Sequence, residues 1–257
     1  MKRFFCLLFL YCLTLPIYGQ IFDDFSDGEL EHNPTWSGNT SHFLVNTAQQ
    51  LQLSASSAGI SYISTPITPL STNQQWLFSI KMPFSPSDNN YCVFYLSSDK
   101  ANLQDTTLNG IYLRFGENGN NDAIKLYRQN GTSHQLLGSG TPAYIASAFD
   151  IVVQVILTDS IWQISTAQHT QDNVFVEQFA CTYNYPIGTY LGLKCIYTTS
   201  NANKFFFDDI YYGPIIYDTI PPMLIKYEFD PTDKSIVSLF FNENIDTTTI
   251  NTTCFEL

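Results

Sequence analysis

Phe205-Phe206-Phe207-Asp208-Asp209-Ile210-Tyr211-Tyr212-Gly213 decides how the rest of the chain is read. Its aromatics and isoleucine suit a pleated, half-buried surface, and the glycine ends the run. Near the other end stands a shorter echo, Phe22-Asp23-Asp24-Phe25-Ser26-Asp27-Gly28. Two aromatic strands, each with an Asp-Asp pair, bracket about one domain's length of chain. We read them as the last and first strands of one β-sandwich, lying side by side.

The sequence between them reads as short strands separated by Gly, Asn and Pro. Phe43–Asn46, Gln50–Ser54 and Ser61–Thr65 come first, and Pro66 and Pro69 interrupt the pattern. Strands are then expected over 75–82, 91–96, 110–116 and 123–128. Asn130-Gly131 is a hairpin turn signal leading to a return strand at 135–137. Phe149–Leu157 is a β-branched run, as in a fully buried strand, and 161–165, 175–181, 190–197 and 204–212 complete the set. No amphipathic helix of three turns is visible. Such spacing means an all-β sandwich or barrel.

Composition agrees. Aromatics make up 15% of the 257 residues and charged residues only 13%, a mix that favours strands over helices. The formal net charge is -12, which makes nucleic acid and anionic lipid poor partners because both need a cationic surface. Divalent cations and neutral glycans remain compatible with an acidic surface.

Residues 1–19 read as a secretory signal peptide. Lys2-Arg3 is its basic end, Phe4–Leu15 an apolar run too short to span a bilayer, and Gly19 a small residue before Gln20. No other segment is apolar enough to cross a membrane, so the expected location is secreted or at the cell surface. Cys92, Cys181, Cys195 and Cys254 lie beyond this leader, without the C-x-x-C spacing of a zinc site. In an exported protein Cys181 and Cys195 are either a disulfide or two buried thiols on strands.

The character changes after Gly213. Residues 214–222, ending Asp218-Thr219-Ile220-Pro221-Pro222, read as a stiff linker. Residues 223–257 hold two strand-like runs, too few to bury a core, and read as the opening of a second β domain.

Several stretches together resemble a known family. They are Phe22–Gly28, Asn33-Pro34-Thr35-Trp36-Ser37-Gly38, Phe84–Ser87, Tyr127–Gly131, Lys194–Thr198 and Phe206–Tyr211. The chain resembles the N-terminal domain of Bacteroidetes secreted and surface proteins that also carry lamin-tail and bacterial Ig-like domains. That resemblance implies a two-sheet, concanavalin A-like jelly-roll sandwich over 20–213, export, and no catalytic residues to transfer. Asp218–Pro222 and Phe240–Asp246 resemble the start of an Ig-like module, here incomplete.

Two constellations carry possible chemistry. Adjacent first and last strands bring the carboxylates of Asp23, Asp24, Asp208 and Asp209 together, which is unfavourable unless a cation or donors compensate. Calcium suits such oxygen ligands, and jelly-roll carbohydrate-binding modules, which the chain resembles in outline, often hold a structural one. The alternative is that these side chains cap turns. Saccharide sites stack aromatic rings on sugar faces beside amides and carboxylates. Trp36, Asn89, Asn90, Tyr91, Glu117, Asn118, Asp122 and Arg128 lie in or beside loops that supply both, with core packing and turn formation as the alternative. Trp76 and Trp162 read as core, and the four histidines as surface residues.

No hydrolase motif is present, and the close pair Glu29-Leu30-Glu31 follows a turn rather than lying on a strand. The sequence therefore points to a non-enzymatic module contacting glycan or another surface protein. A structural spacer is the alternative, and a glycoside hydrolase ranks below both.

Overall fold

A computed structural model describes residues 20–70, 73–169, 174–217, 222–233 and 235–242. The expected leader, residues 218–221 of the expected linker, and residues 243–257 with Cys254 and the end of the Phe240–Asp246 stretch lie outside the described residues. In chain order the strands are β1 (Ile21–Asp23), β2 (Ser37–Gly38), β3 (Phe43–Val45), β4 (Leu51–Leu53), β5 (Gly59–Pro66) and β6 (Gln74–Met82). Next come β7 (Tyr91–Ser98), β8 (Asn109–Phe115), β9 (Lys125–Asn130), β10 (Ser133–Ser139), β11 (Phe149–Thr158) and β12 (Ile161–Gln168). The last are β13 (Val176–Thr182), β14 (Tyr190–Tyr197), β15 (Phe206–Gly213), β16 (Leu224–Phe229) and β17 (Val237–Phe241). Helix among the described residues is confined to two single 3-10 turns, Thr40–His42 and Thr199–Asn201.

The strands form two antiparallel sheets. One runs β13-β12-β11-β6-β15-β4-β3 with β1 also on β15, and the other runs β10-β9-β8-β7-β14-β5-β2. We call them sheet A and sheet B. Their inner faces share one core. Phe78 of β6 stacks on Phe94 of β7 at 3.7 Å between ring centroids, with planes 2° apart. Trp76 donates its indole N–H across the sandwich to the Leu96 carbonyl at 2.9 Å, so its buried polar atom is satisfied. Trp162 stacks beside it, as expected of a core residue.

The first and last strands of the sandwich are hydrogen-bonded neighbours, with Ile21 opposite Tyr212 and Asp23 opposite Ile210. The deciding strand is broken by a register shift between Asp208 and Tyr211, where Asp209 adopts φ 50°. Aspartate tolerates that left-handed conformation better than most residues. The first half of β15 pairs with β4 and the second half with β1, so Asp23 lies opposite Ile210, the residue after Asp209.

Residues 216–257 form a separate unit. Its described part is an antiparallel pair, β16 and β17. Every residue of β16 is exposed, Ile225 at 65% and Tyr227 at 62%. Among the described residues of this unit no further strand covers the pair, and two strands alone bury little apolar surface.

Candidate functional site

The outer face of sheet B carries what its inner face does not. Along β7 the residues alternate, with Cys92, Phe94 and Leu96 in the main core and Tyr91, Val93 and Tyr95 on the other side. The same parity puts Tyr112 and Arg114 of β8, Tyr127 of β9, His134 of β10 and Lys194 of β14 on the outer face. With them the β7 residues line one cleft of about 260 Å³.

Register sets its rows. Tyr95, Tyr112 and Tyr127 are successive cross-strand partners. The rings of Tyr112 and Tyr127 stack at 5.3 Å and 14°. In the next row Tyr62 faces Lys194, Lys194 faces Val93, Val93 faces Arg114 and Arg114 faces Lys125. Direct cross-strand aromatic pairs each add roughly 0.2–1 kcal/mol, so the tyrosine row also supports the sheet.

The 99–108 loop folds over one flank and buries Leu103 and Leu108 against Val93, Tyr95 and Tyr112. Gly192 makes room for it, because a Cβ there would sit 2.9 Å from the Leu103 side chain and 2.5 Å from a backbone oxygen of β5.

The polar atoms of the cleft are fixed by named partners. Arg114 lies over the Tyr91 ring at 4.2 Å and donates to Asp88 Oδ1 at 2.7 Å. Tyr112 Oη and His134 Nδ1 are 2.9 Å apart. Tyr95 donates to Gln129 Oε1 at 2.7 Å. Lys194 donates to Tyr95 Oη and to the Leu103 carbonyl, both at 3.1 Å. Burial pulls the Lys194 ammonium down to about 8. Burial, then the Lys194 and Arg114 charges, lower His134, while burial raises the Tyr112 phenol.

The residues singled out in the sequence are scattered by comparison. Tyr91 lines the cleft. Trp36 does not: it is 3% exposed and its indole N–H is donated to Asp23 Oδ2 at 2.7 Å. The sequence placed it in a loop, but the chain turns it into the core just before β2. Asn90 accepts from the Thr198 backbone and hydroxyl at 2.9 Å each, an ordinary turn cap, and Asn89 is exposed at the turn tip. Glu117 pairs with Lys125. Asp122 is fully buried. Its Oδ1 accepts from the Glu117 backbone, its Oδ2 has no partner, and burial holds it above the usual carboxylate range. Arg128 shares the parity of Leu126, on the side facing the other sheet, and its Nε is buried without a partner.

Three of the four aspartates, Asp23, Asp24 and Asp208, accept from donors close by. Asp23 accepts from the Phe25 backbone at 2.9 Å as well as from Trp36, and burial still pushes it up to about 6. Asp24 accepts from the Ser26 backbone at 3.1 Å. Asp208 accepts from the Asp209 backbone at 2.9 Å; burial and then the Asp209 charge push it up to about 6. Among the described residues no three of these carboxylates converge within 4.8 Å. Only Glu29, Glu31 and His32 do so, in an exposed turn that Glu29 already caps. As a set, the four do not make an oxygen cage.

The thiols resolve the alternative left by the sequence. Cys181 and Cys195 are both free, and they stand on different sheets. A disulfide between them is corrected to two thiols: Cys181 lies opposite Trp162 on β12, whereas Cys195 lies opposite Cys92 on β7. Burial and then the Cys92 thiol raise Cys195, and burial raises Cys181.

Sequence reasoning missed Tyr112, Tyr127 and Lys194 and read His134 as an isolated surface histidine. A signal was present. In β7–β9 tyrosine keeps one parity while Phe, Leu and Cys keep the other.

No known sequence family and no curated protein matches the chain. Solved structures do resemble it. The Emp47p carbohydrate recognition domain superposes with a TM-score of 0.56 at 14% identity, over 78% of this chain and 96% of that one. The VIP36 exoplasmic/lumenal domain in its Ca2+/Man-bound form gives 0.54 at 12% identity, over 90% and 100% of the two chains. The same domain in its metal-free form gives 0.55 at 11% identity, over 88% and 98%. At these identities the likeness establishes the fold alone, a concanavalin A-like jelly roll.

Proposed function

We propose that the sandwich is a non-enzymatic saccharide-binding module of an exported or cell-surface chain, and that the outer face of sheet B holds the sugar. The cleft carries the reading. It joins tyrosine rings to fixed N–H and O–H donors, the combination that stacks on a pyranose and orients its hydroxyls. The fold supports it, since Emp47p is described by carbohydrate recognition and VIP36 is known with bound mannose. A wider depression of about 870 Å³ near Trp36 offers less, because its aromatic residues, Trp36 and Phe43, are buried. No helix among the described residues is long and apolar enough to cross a membrane.

A glycan array probed with the mature chain tests this reading. Binding that disappears in Tyr127→Ala or Tyr91→Ala supports it. Silence across a broad array favours the spacer, in which the sandwich only separates neighbouring domains and β16–β17 opens the next one.

A structural calcium belongs to the same reading, because VIP36 is known in Ca2+-bound forms. In this chain the four aspartates do not fit it as a set. Asp122 keeps a buried oxygen without a donor, which a hard cation or a water satisfies. A chelator should lower the melting temperature by several degrees if the ion binds the native state, and an unmoved midpoint removes it.

A further inference from the structure

We infer that the saccharide taken by the sheet B cleft is acidic, and that a carboxylate or sulfate on the sugar is received by Lys194. This deepens the saccharide-binding reading and rests on it.

The argument starts from charge pairing. Three cations share one cross-strand row on this face: Lys194, Arg114 and Lys125. Arg114 is paired with Asp88 and Lys125 with Glu117. Among the described residues Lys194 has no carboxylate within 4.0 Å, so its charge is not neutralised by an ion pair. No Asp or Glu lines the cleft at all. In a chain with 23 acidic and 11 basic residues, an acid-free cleft with two cations and a histidine runs against composition.

The ammonium also has a donor to spare. It carries three N–H bonds, and its protein acceptors are the Tyr95 hydroxyl and the Leu103 carbonyl. Both are neutral. A half-buried cation held only by neutral acceptors keeps much of its desolvation cost, and an incoming anion would offset it with a charge-assisted hydrogen bond. The depressed titration of Lys194 reports that cost. The surroundings favour a ring-bearing anion over a bare ion. Tyr91 and Tyr127, both half-buried, offer ring surface in the cleft that the ammonium lines, and the volume of about 260 Å³ lies just under the range of small-ligand sites.

The groups facing the ammonium define the pH response. They are Tyr62 on β5, Tyr91 and Tyr95 on β7, Tyr112 and Arg114 on β8, Tyr127 on β9 and His134 on β10, with Cys92 on the far side of the sheet. Burial raises Tyr95 and Tyr112, so these phenols stay protonated. A bound anion raises the Lys194 pKa back toward its ordinary value. Affinity is therefore present below the free value and is lost as pH rises through about 8 toward the bound value. His134 takes a proton only at lower pH and adds affinity there.

The test is calorimetric titration of the mature chain with three sets: oligogalacturonides and their methyl esters, sulfated chondroitin oligosaccharides and their desulfated, carboxyl-methyl-esterified forms, and neutral mannan oligosaccharides. Expected is binding by at least one acidic member, roughly tenfold or more tighter than its neutralised counterpart. Lys194→Gln should lose that preference and Lys194→Arg should keep most of it. Should Lys194→Gln fold poorly by melting, the wild-type pH series gives the same answer, with affinity falling above about 8. Equal binding of acidic and neutralised forms, or binding of the neutral set alone, overturns acid recognition. The cleft reading survives that result if Tyr127→Ala still abolishes binding. No binding by any set overturns both.

Discussion

Strands β7, β8 and β9 set two chemistries on opposite sides of one sheet. Inward they present Cys92, Phe94, Leu96, Ile111, Leu113, Phe115 and Leu126, all buried in the main core. Outward, between the same residues, they present Tyr91, Tyr95, Tyr112, Arg114 and Tyr127. These inner residues need no hydrogen-bond partner and can be sealed from water, Arg128 of β9 being the polar exception on that side. The outer ones each have one, and each tip needs a partner or solvent. A strand that only had to hold the sandwich together could carry any polar residue outward. Tyrosine on three neighbouring strands in one row is more than solubility asks. The difference teaches that packing accounts for one face of sheet B, and that recognition is the better account of the other.

The contrast can be broken by mutation. Phe94→Ala removes a ring stacked against Phe78 at the sandwich centre and should cost about 3–5 kcal/mol in urea unfolding. Any saccharide binding by the fraction still folded should be unchanged. A loss below 1 kcal/mol would mean that the inner face is not the packed one.

Trp36→Phe should cost roughly 1.5–3 kcal/mol, because it strips a donor from a buried carboxylate. It also sharpens the comparison, since Trp36 was a sequence candidate for sugar stacking. Loss of stability with binding retained assigns it to the core.

Tyr127→Ala should reverse that pattern. Its ring is only half-buried, so the stability change should be about 1 kcal/mol or less, while saccharide affinity falls roughly tenfold or more.

The smallest effect is a titration. Asp23 should protonate with a midpoint of about 6 in carboxyl NMR, and Trp36→Phe should move it higher, since the indole bond opposes the shift. A raised native value favours the protonated folded state. Relative to Asp23→Asn, wild-type stability is therefore fully present below the unfolded value of about 4 and is lost as pH rises through about 6. A midpoint at the unperturbed value would place Asp23 in solvent.

Much of the fold was legible because strand formation is local. Alternation in Gln50–Ser54, the β-branched run at 149–157 and the Asn130-Gly131 turn each matched an element of the structure. The Asp-Asp echo correctly paired the first strand with the last. The candidate site was legible in one residue of the cleft, Tyr91. Ser37–Gly38, read as loop, forms the edge strand β2, whose two residues carry no periodicity to read.

The sequence alone determined an all-β sandwich, its strand order along the chain and an acidic surface, because each rests on local pattern or composition. Only the tertiary structure decided which residues became neighbours on a face. Lys194 stands beside Tyr95 across about 100 positions of chain, and Trp36 is anchored by Asp23 beneath the surface it was expected to line. Alternation tells that successive residues face opposite ways. It does not tell which side is inside, nor the register of distant strands, and a slip of one residue exchanges the two faces.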